Sequence, residues 1–490
     1  MDLGTSLSIG LTGLQVNQDA ISVVGHNIAN VNTPGYSQQS AVISTNPSQP
    51  YGTMNFGTGA SVTAVQALRD QFLNLQVTQS IASQSGAQTR YQGVEAVSSA
   101  VTDDGTTGLS TQIQSFFASL QTLASNPESA AQRQAVLGQA QTMINEFQSS
   151  YQTISSQISN ANQEVGSVVQ QVNTLTSQIA QLNGQIASQV DPTGDNDAID
   201  QRQQLTDQLA NLVGIQVSTD SKDQYQISLD TGAAILVAGA NAYQMTTSPD
   251  ASNSNNLSVQ VQSGNMAVDV TDQVNGGTLG GYMDLRDNIL PGYEDQLNRI
   301  AGSLASQVNA QNEAGYVLPN TDATSASTGP ALFTGGFTAS GAPDYTNFVN
   351  TLQVNPAVLA NTNLIATAGS AGSGSGDNAN ALLLANLQNT GTVDVNGDGS
   401  VQSGPYTTVV TNLTNTVATD AQRYNTIYTN QQNLNSALQS QKTSLSGVDL
   451  DQQAAQLIAY QQGYEAAAHF ISTISQLTTQ LMNTVTSATS

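Results

Sequence analysis

The chain has 490 residues, and only 9% of them are Asp, Glu, Lys or Arg, against about 25% in typical soluble domains. Nine basic and 34 acidic residues give a net charge of −25, which excludes the basic surface that binding to nucleic acid or to an anionic membrane requires. The chain contains no cysteine, so disulfides, thiolate nucleophiles and cysteine-based metal sites are also excluded.

The length predicts about two to four compact units. The first basic residue is Arg69, so the N-terminus lacks the charged region of a secretory signal peptide. The longest apolar run, 233–240, is far shorter than the roughly 20 residues that span a bilayer. We therefore expect neither a signal peptide nor a transmembrane segment.

The N-terminal segment carries apolar residues at helical spacing, which predicts an amphipathic helix. These residues are Leu3, Leu7, Leu11, Leu14, Ile21, Val24 and Ile28. The run NVNTPGY from Asn30 to Tyr36 follows, and its central Pro34 and Gly35 favour a type II turn that ends the helix. We assign 1–68 to this helix and a linker.

A heptad pattern then extends from Leu137 to Ile186, with apolar residues at alternating spacings of three and four. At 1.5 Å per residue, it predicts a helix about 75 Å long. Pro192 and Gly194 form a turn signal, and a second apolar face follows from Ile199. We predict a long antiparallel hairpin arm or a coiled coil over 69–213.

The central part of the chain changes character twice. Apolar residues alternate with polar ones over 214–275, which predicts an antiparallel β insertion whose last hairpin turns at 263–265. Helical spacing resumes over 276–314. The segment 315–404 is rich in Gly, Ser, Thr and Asn, with GSAGSGSG at 369–376 indicating a flexible linker or a loop, so we expect irregular β and loop structure there.

Two further helices are predicted at the C-terminus. The first, over 405–445, has Asp420 and Gln431 at otherwise apolar positions; the second covers 446–490. The apolar face of the second contains Ala454, Leu457, Tyr464, Ala468, Ile471, Ile474, Leu477 and Leu481. The predicted fold class is mainly α with inserted β: long antiparallel helical arms from both chain ends, a small antiparallel β insertion and an irregular β/loop region. The two terminal helices are expected to pack together.

Residues suited to catalysis are scarce. The two histidines, His26 and His469, lie in the terminal apolar stripes, and no serine is framed as G-x-S-x-G. We therefore predict no enzyme activity, no catalytic residue and no cofactor site.

One pattern resembles half of a calcium-binding loop. Asp394, Asn396, Asp398 and Gly399 follow the spacing of its first ligands, but the twelfth position is Pro405 instead of glutamate. We keep these residues as a calcium candidate and favour an ordinary solvated turn.

Two terminal segments carry a resemblance to a known family. Residues 11–39 (LTGLQVNQDAISVVGHNIANVNTPGYSQQ) closely resemble the N-terminal signature of the flagellar axial family, which comprises rod, hook and hook-associated proteins. Residues 448–482 resemble the matching terminal helix of that family. Segments 200–217 and 276–309 are similar to hook-associated members, and the long helix at 137–186 argues against the hook protein itself.

The resemblance implies a structural subunit at the junction between the flagellar hook and filament. It further implies self-assembly into a helical ring, contacts with the hook protein and the second junction protein, and an export chaperone on the C-terminal helix. The expected location is the extracellular flagellum, reached without signal cleavage, with no nucleic-acid partner and no membrane insertion. Two alternatives stay open: another axial protein of the hook or distal rod, or a secreted adhesin-like protein that uses the region 320–400.

We expect the assembly interface on the two terminal segments, where narrow apolar stripes need a partner helix. Its candidate residues are Leu7, Leu11, Leu14, Ile21, Ile28, Asn30, Asn32, Pro34, Gly35, Tyr36, Leu457, Tyr464, Ile471, Ile474, Leu477 and Leu481. Gln38, Gln452, Gln453 and His469 depart from positions that are often charged in the family. We therefore expect apolar packing and amide hydrogen bonds to hold this interface.

Overall fold

The computed structural model divides the chain into two compact units. Unit 1 contains residues 1–85, 168–279 and 430–490, and unit 2 contains 86–167 and 280–429. The residues that the structure describes are 3–51, 54–101, 108–189, 194–232, 234–264, 266–322 and 324–488. The predicted class, mainly α with inserted β, is confirmed.

Twelve α-helices are present in the described ranges. They are α1 Leu3–Ala29, α2 Gln71–Ala100, α3 Leu109–Ser125, α4 Ala130–Ala187, α5 Asn196–Leu212, α6 Gly277–Asp284, α7 Leu290–Ala314, α8 Phe348–Thr351, α9 Pro356–Ala360, α10 Ala379–Thr390, α11 Tyr406–Ser446 and α12 Leu450–Ala488. A π-helical turn, Leu285–Ile289, joins α6 to α7. None of the described helices is both long and apolar enough to cross a membrane.

The strands form small antiparallel sheets. In chain order they are β1 Gln39–Thr45, β2 Gln49–Tyr51, β3 Met54–Phe56, β4 Ala60–Ala67, β5 Ile215–Thr219, β6 Tyr225–Leu229, β7 Ile235–Ala238, β8 Asn241–Ala242, β9 Met245–Asp250, β10 Asn256–Ser263, β11 Met266–Asp269, β12 Phe333–Thr334, β13 Gln353–Val354, β14 Gly391–Asp394 and β15 Val401–Gly404. Within the predicted β insertion, β5-β6-β7-β8 form one sheet and β11-β10-β9 another.

The long heptad pattern forms one continuous helix, α4, of 58 residues. Most of its predicted seam residues are buried, among them Leu137, Ile144, Phe147, Val165 and Ile179. The Pro192 of the turn signal lies outside the described residues, and α5 begins beyond it with Asp195 as its N-cap. In unit 1, Leu182 and Ile186 of α4 pack against Ala198 and Ile199 of α5, so the chain folds back as the pattern predicted.

Residues 39–67, which we expected to be a linker, form two nested hairpins in unit 1. Strand β1 pairs with β4 from Gln39↔Ala67 to Thr45↔Ala60, and β2 pairs with β3 between them. The strands are mostly half-buried or exposed, so the sequence there carries only a weak alternating pattern.

Unit 2 has one hydrophobic core, and the segment expected to be irregular contributes much of it. Phe333, Phe348, Val358 and Leu384 from this segment are buried. The Phe333 ring lies 5.9 Å from that of Phe116 on α3. Helix α10 was not predicted, because the Gly- and Ser-rich flanks hide a short apolar run.

The glycine-rich loop at 369–376 is tied to one buried side chain. The Asn320 amide donates to the Ser370 carbonyl at 2.8 Å and accepts from the Gly372 N–H at 2.8 Å. The Gly374 N–H donates to the Asn320 carbonyl at 2.8 Å. The composition allowed a flexible linker or a loop, and the segment is a hydrogen-bonded loop of unit 2.

A buried guanidinium joins two parts of unit 2. Arg133 on α4 is fully buried and donates to the carbonyls of Pro127, Thr362 and Ile365 and to the Thr367 hydroxyl. Burial lowers its pKa to about 10. These acceptors compensate for the lost hydration of the charge.

Candidate assembly interface at the chain termini

Helices α1 and α12 pack against each other as an antiparallel pair in unit 1. Four residue pairs define the register: Gly10 with Ile471, Gly13 with Ala467, Asn17 with Gly463, and Asn27 with Gln453. From one pair to the next, each step along α1 is matched within one residue by a step back along α12. Glycine allows a close approach, since a Cβ at Gly10 would lie 2.7 Å from Ile471 Cγ1.

The pair ends in a largely buried group of hydrogen-bonded residues, which we call the amide knot: the side chains of Asn27, Tyr36 and Gln453 and the backbone of Gln39. Asn27 is 1% exposed. Its Nδ2 donates to the Gln39 carbonyl at 2.8 Å and to Gln453 Oε1 at 2.9 Å. Its Oδ1 accepts from the Tyr36 hydroxyl at 2.8 Å and from the Gln39 N–H at 2.9 Å. Both donors and both acceptor sites of Asn27 are used.

The predicted turn places Tyr36 in the knot. Gly35 has φ +80°, and the Tyr36 N–H donates to the Thr33 carbonyl at 3.2 Å, as in a type II turn. Burial, followed by the charges of Asp197 and Asp200, raises the pKa of Tyr36 to about 12. The phenol therefore keeps the proton that it donates to Asn27.

Hydrogen-bond directions assign the proton of His26. The backbone of Gln39 fixes which end of the Asn27 amide faces Tyr36, so the Tyr36 hydroxyl must donate to Asn27. His26 Nδ1 lies 3.1 Å from that same hydroxyl and therefore has to be the donor to it. His26 Nε2 lies 3.6 Å from Asp197 Oδ2. His469 is level with Leu11 in the register of the pair, so the two histidines do not meet.

A second anchor ties the turn to α5. Asp200 accepts from the Ser37 N–H at 2.7 Å, from the Ser37 hydroxyl at 2.8 Å and from Arg69 Nε at 2.9 Å. Arg69 also donates to the Asn196 carbonyl at 2.7 Å. The turn is therefore held by a buried carboxylate and by the amide knot at once.

Sequence reasoning missed Asn27, Asp200 and Arg69. Asn27 follows Val24 at heptad spacing, so a polar residue in an otherwise apolar stripe was the available signal. Asp200 and Arg69 carry no periodic signal, because their contacts join segments that are distant in sequence.

The structure divides the predicted interface residues into two groups. Those that are half-buried are Leu14, Ile21, Ile28, Asn30, Tyr36, Leu457, Ile471 and Ile474. Those that are exposed are Leu7, Leu11, Asn32, Pro34, Gly35, Tyr464, Leu477 and Leu481. Asn30 serves its own helix end: it donates to the His26 carbonyl and accepts from the Thr33 hydroxyl, each at 3.1 Å.

The calcium candidate forms a turn in unit 2 whose carboxylates already have partners. Asp394 accepts from the Gly397 N–H at 2.8 Å and the Gly399 N–H at 3.1 Å, and Asp398 accepts from the Ser400 N–H at 2.8 Å. The Arg299 guanidinium lies against Gly397. The described part of the chain contains no cluster of three or more acidic or histidine side chains that could hold a metal ion.

Three family models match separate parts of the chain: its N-terminal segment, its middle and its C-terminal segment. The model "Flagella basal body rod protein" matches residues 7–36, "Flagellar hook-associated protein FlgK helical domain" matches 94–333, and "Flagellar basal body rod FlgEFG protein C-terminal" matches 439–484. Flagellar hook-associated protein 1 of Salmonella typhimurium is 28% identical, over 98% of this chain and 100% of its own length. The Escherichia coli and Bacillus subtilis proteins of that name are 27% and 26% identical, each over 98% of this chain.

The chain is a homologue of flagellar hook-associated protein 1 over 98% of its length. A solved structure, that of the flagellar hook junction protein FlgK from Burkholderia pseudomallei, has the same fold, with a TM-score of 0.65 at 19% identity over 76% of this chain and 100% of that one. This hook-associated protein 1 homologue is a structural component of the bacterial flagellum, as the resemblance implied. The alternatives of a hook or distal-rod subunit and of an adhesin receive no support from these relatives.

Proposed function

We propose that the protein is a subunit of the junction between hook and filament and that it polymerises through α1 and α12. The observation that carries this proposal is the apolar surface of α12. One face of α12 packs on α1, yet large apolar side chains of this helix remain exposed. Six of them are Leu450, Ile458, Phe470, Leu477, Leu481 and Met482.

The exposed side chains of α12 provide a driving force for assembly. Burial of a whole Leu, Ile, Phe or Met side chain contributes about 1.5–3 kcal/mol. Since these six are roughly half exposed, covering them contributes on the order of 6 kcal/mol per subunit. Among the predicted interface residues, Leu7, Leu11, Tyr464, Leu477 and Leu481 are available for this contact, whereas Ile471 packs on Gly10 within the chain.

The proposal includes specific neighbours. The ring would contact the hook protein on one side and the second junction protein on the other, in the extracellular flagellum. Before assembly, an export chaperone would cover the apolar face of α12, as grooves bind amphipathic helices. Export would occur without signal cleavage. The family resemblance and the exposed face of α12 support these contacts.

The test replaces two leucines of α12 that are about half exposed, Leu477 and Leu481. The double variant Leu477→Asp, Leu481→Asp is expressed in cells that lack the native chain. It should abolish filament formation, because each subunit would have to bury two unpaired charges in the ring. Ile471 is unsuitable, since it packs against Gly10 within the chain. Filaments are counted by electron microscopy, and circular dichroism of the purified variant checks that the helices remain.

The matched control is Leu383→Asp on α10, because Leu383 is 53% exposed, close to the 54% of Leu481, but lies in unit 2. It should assemble normally. Normal filaments in cells with the double variant of α12 would contradict the proposed function.

A further inference from the structure

We propose that the end of α12, at Leu477, Leu481 and Met482, binds the leucine stripe of α1, at Leu7, Leu11 and Leu14, on a second copy of the chain. This inference rests on the proposed polymerisation through the terminal helices, and it specifies which surface of one subunit meets which surface of the next.

The first surface is the C-terminal end of the α12 face that packs on α1, where this apolar face extends further than α1 does. The α12 residues that face α1 recur at spacings of three and four, and Ala467, Ile471, Ile474 and Thr478 are all half-buried. The same spacing leads next to Leu481 and Met482, which are 54% and 66% exposed. In the register of the pair, Leu3 of α1 is level with Leu477. No described residue of α1 therefore lies beside Leu481.

The second surface is a separate stripe on α1. Gly10 and Gly13 face α12, and Thr12 contacts Gly59 next to β4. Leu7, Leu11 and Leu14 lie at spacings of four and three and point about a quarter of a turn away from the seam. Leu7 and Leu11 are 37% and 53% exposed. Leu14 is half-buried, and Leu7 and Leu11 remain accessible beside these two contacts.

The two surfaces cannot meet within one chain. Both lie at the same end of a packed helix pair, and they face different directions around it. Because they are not the same surface, contact between copies is head-to-tail, and a head-to-tail contact repeats into a ring or a helix. An isologous dimer would instead pair each surface with itself.

The distribution of charge favours a second copy as the occupant. With a net charge of −25, copies of this chain repel one another. Residues 3–18 and 466–488, which carry the two surfaces, contain no Asp, Glu, Lys or Arg. Subunits can therefore approach here without burying like charges.

Disulfide cross-linking tests the contact, because the native chain has no cysteine. Leu11→Cys and Leu481→Cys are introduced into separate full-length chains, which are expressed together in cells that lack the native chain. Flagella are isolated and oxidised with copper phenanthroline. The mixed 11–481 dimer should form about tenfold above background, since an ordered contact raises the effective concentration of the two thiols. Leu383→Cys with Leu481→Cys measures the background.

The outcomes separate this inference from the proposed function. If the cysteine variants build filaments but give no 11–481 dimer, and Leu7→Cys with Met482→Cys also gives none, the inference is overturned while the proposed function stands. Dominant 11–11 or 481–481 dimers, or cross-links to another protein only, overturn it as well. Normal filaments with Leu477→Asp and Leu481→Asp would instead overturn the proposed function.

Discussion

Replacement of Asn27 by alanine should loosen α12 from α1 by about 3 kcal/mol. The substitution removes four hydrogen bonds from a side chain that is 1% exposed. The Tyr36 hydroxyl keeps His26 Nδ1 as a neighbour at 3.1 Å, but the N–H and carbonyl of Gln39 are backbone groups that cannot turn to another partner. At about 1.5 kcal/mol for each backbone group left unpaired, these two account for the expected loss.

Native-state hydrogen exchange measures this loss at α12 itself, which avoids assuming that a two-unit chain unfolds in one step. Since 1.4 kcal/mol corresponds to a factor of ten, the amides of 454–478 should exchange about 150-fold faster in Asn27→Ala. The matched control is Asn30→Ala, which removes hydrogen bonds that stay within the end of α1. A change below about threefold in Asn27→Ala, or an equal change in Asn30→Ala, would refute the reasoning.

Three further predictions concern packing, a buried cation and pH. A Cβ at Gly10 would lie 2.7 Å from its nearest neighbour and one at Gly13 3.8 Å. By hydrogen exchange of α12, Gly10→Ala should therefore destabilise the pair by about 1 kcal/mol and Gly13→Ala should stabilise it by about 0.5–1 kcal/mol. Arg133→Met removes the donor to four oxygen acceptors, of which the Thr362 carbonyl still accepts from the Ile365 N–H. The change should lower the protection of α3 by about 3 kcal/mol, against less than about 1 kcal/mol for Arg423→Met, whose side chain is 58% exposed. Folding raises the pKa of Tyr36 from 10.0 to about 12, so the stability that the neutral phenol gives the folded protein is complete below pH 10 and is lost as the pH rises through 12. Over this pH range, the α12 amides of Tyr36→Phe should lose less protection from hydrogen exchange than those of the native chain.

Features that depend on local backbone preference and on one buried face could be predicted from the sequence. Helix α4 could be predicted from its heptad pattern, because spacings of three and four residues place all the apolar side chains on one face of a helix. The turn after α1 follows from Pro34 and Gly35, because Pro restricts φ and Gly adopts φ +80° without strain. The terminal motifs also indicated the flagellar axial proteins, whose rod models match 7–36 and 439–484.

Features that depend on a distant partner were decided only by the tertiary structure. The same glycine-rich composition suits a linker or a loop, and Asn320 selects the loop at 369–376 by hydrogen bonds across some 50 residues of chain. The pattern at 394–399 suits a cation, but the turn's own N–H groups and Arg299 occupy its surroundings.

The predicted assembly residues show the same limit. Helical spacing places Leu11, Leu477 and Ile471 on apolar stripes, but spacing alone does not say which stripe is already covered. The register of α1 against α12 is set by non-local contacts, the close approach at Gly10 and the four hydrogen bonds of Asn27. That register buries Ile471 within the chain and leaves Leu11 and Leu477 for a neighbour. The sequence by itself determined the helices, the turn and the resemblance to flagellar axial proteins, because these depend on short-range pattern; the tertiary structure decided which apolar faces remain free, because that depends on which segments meet.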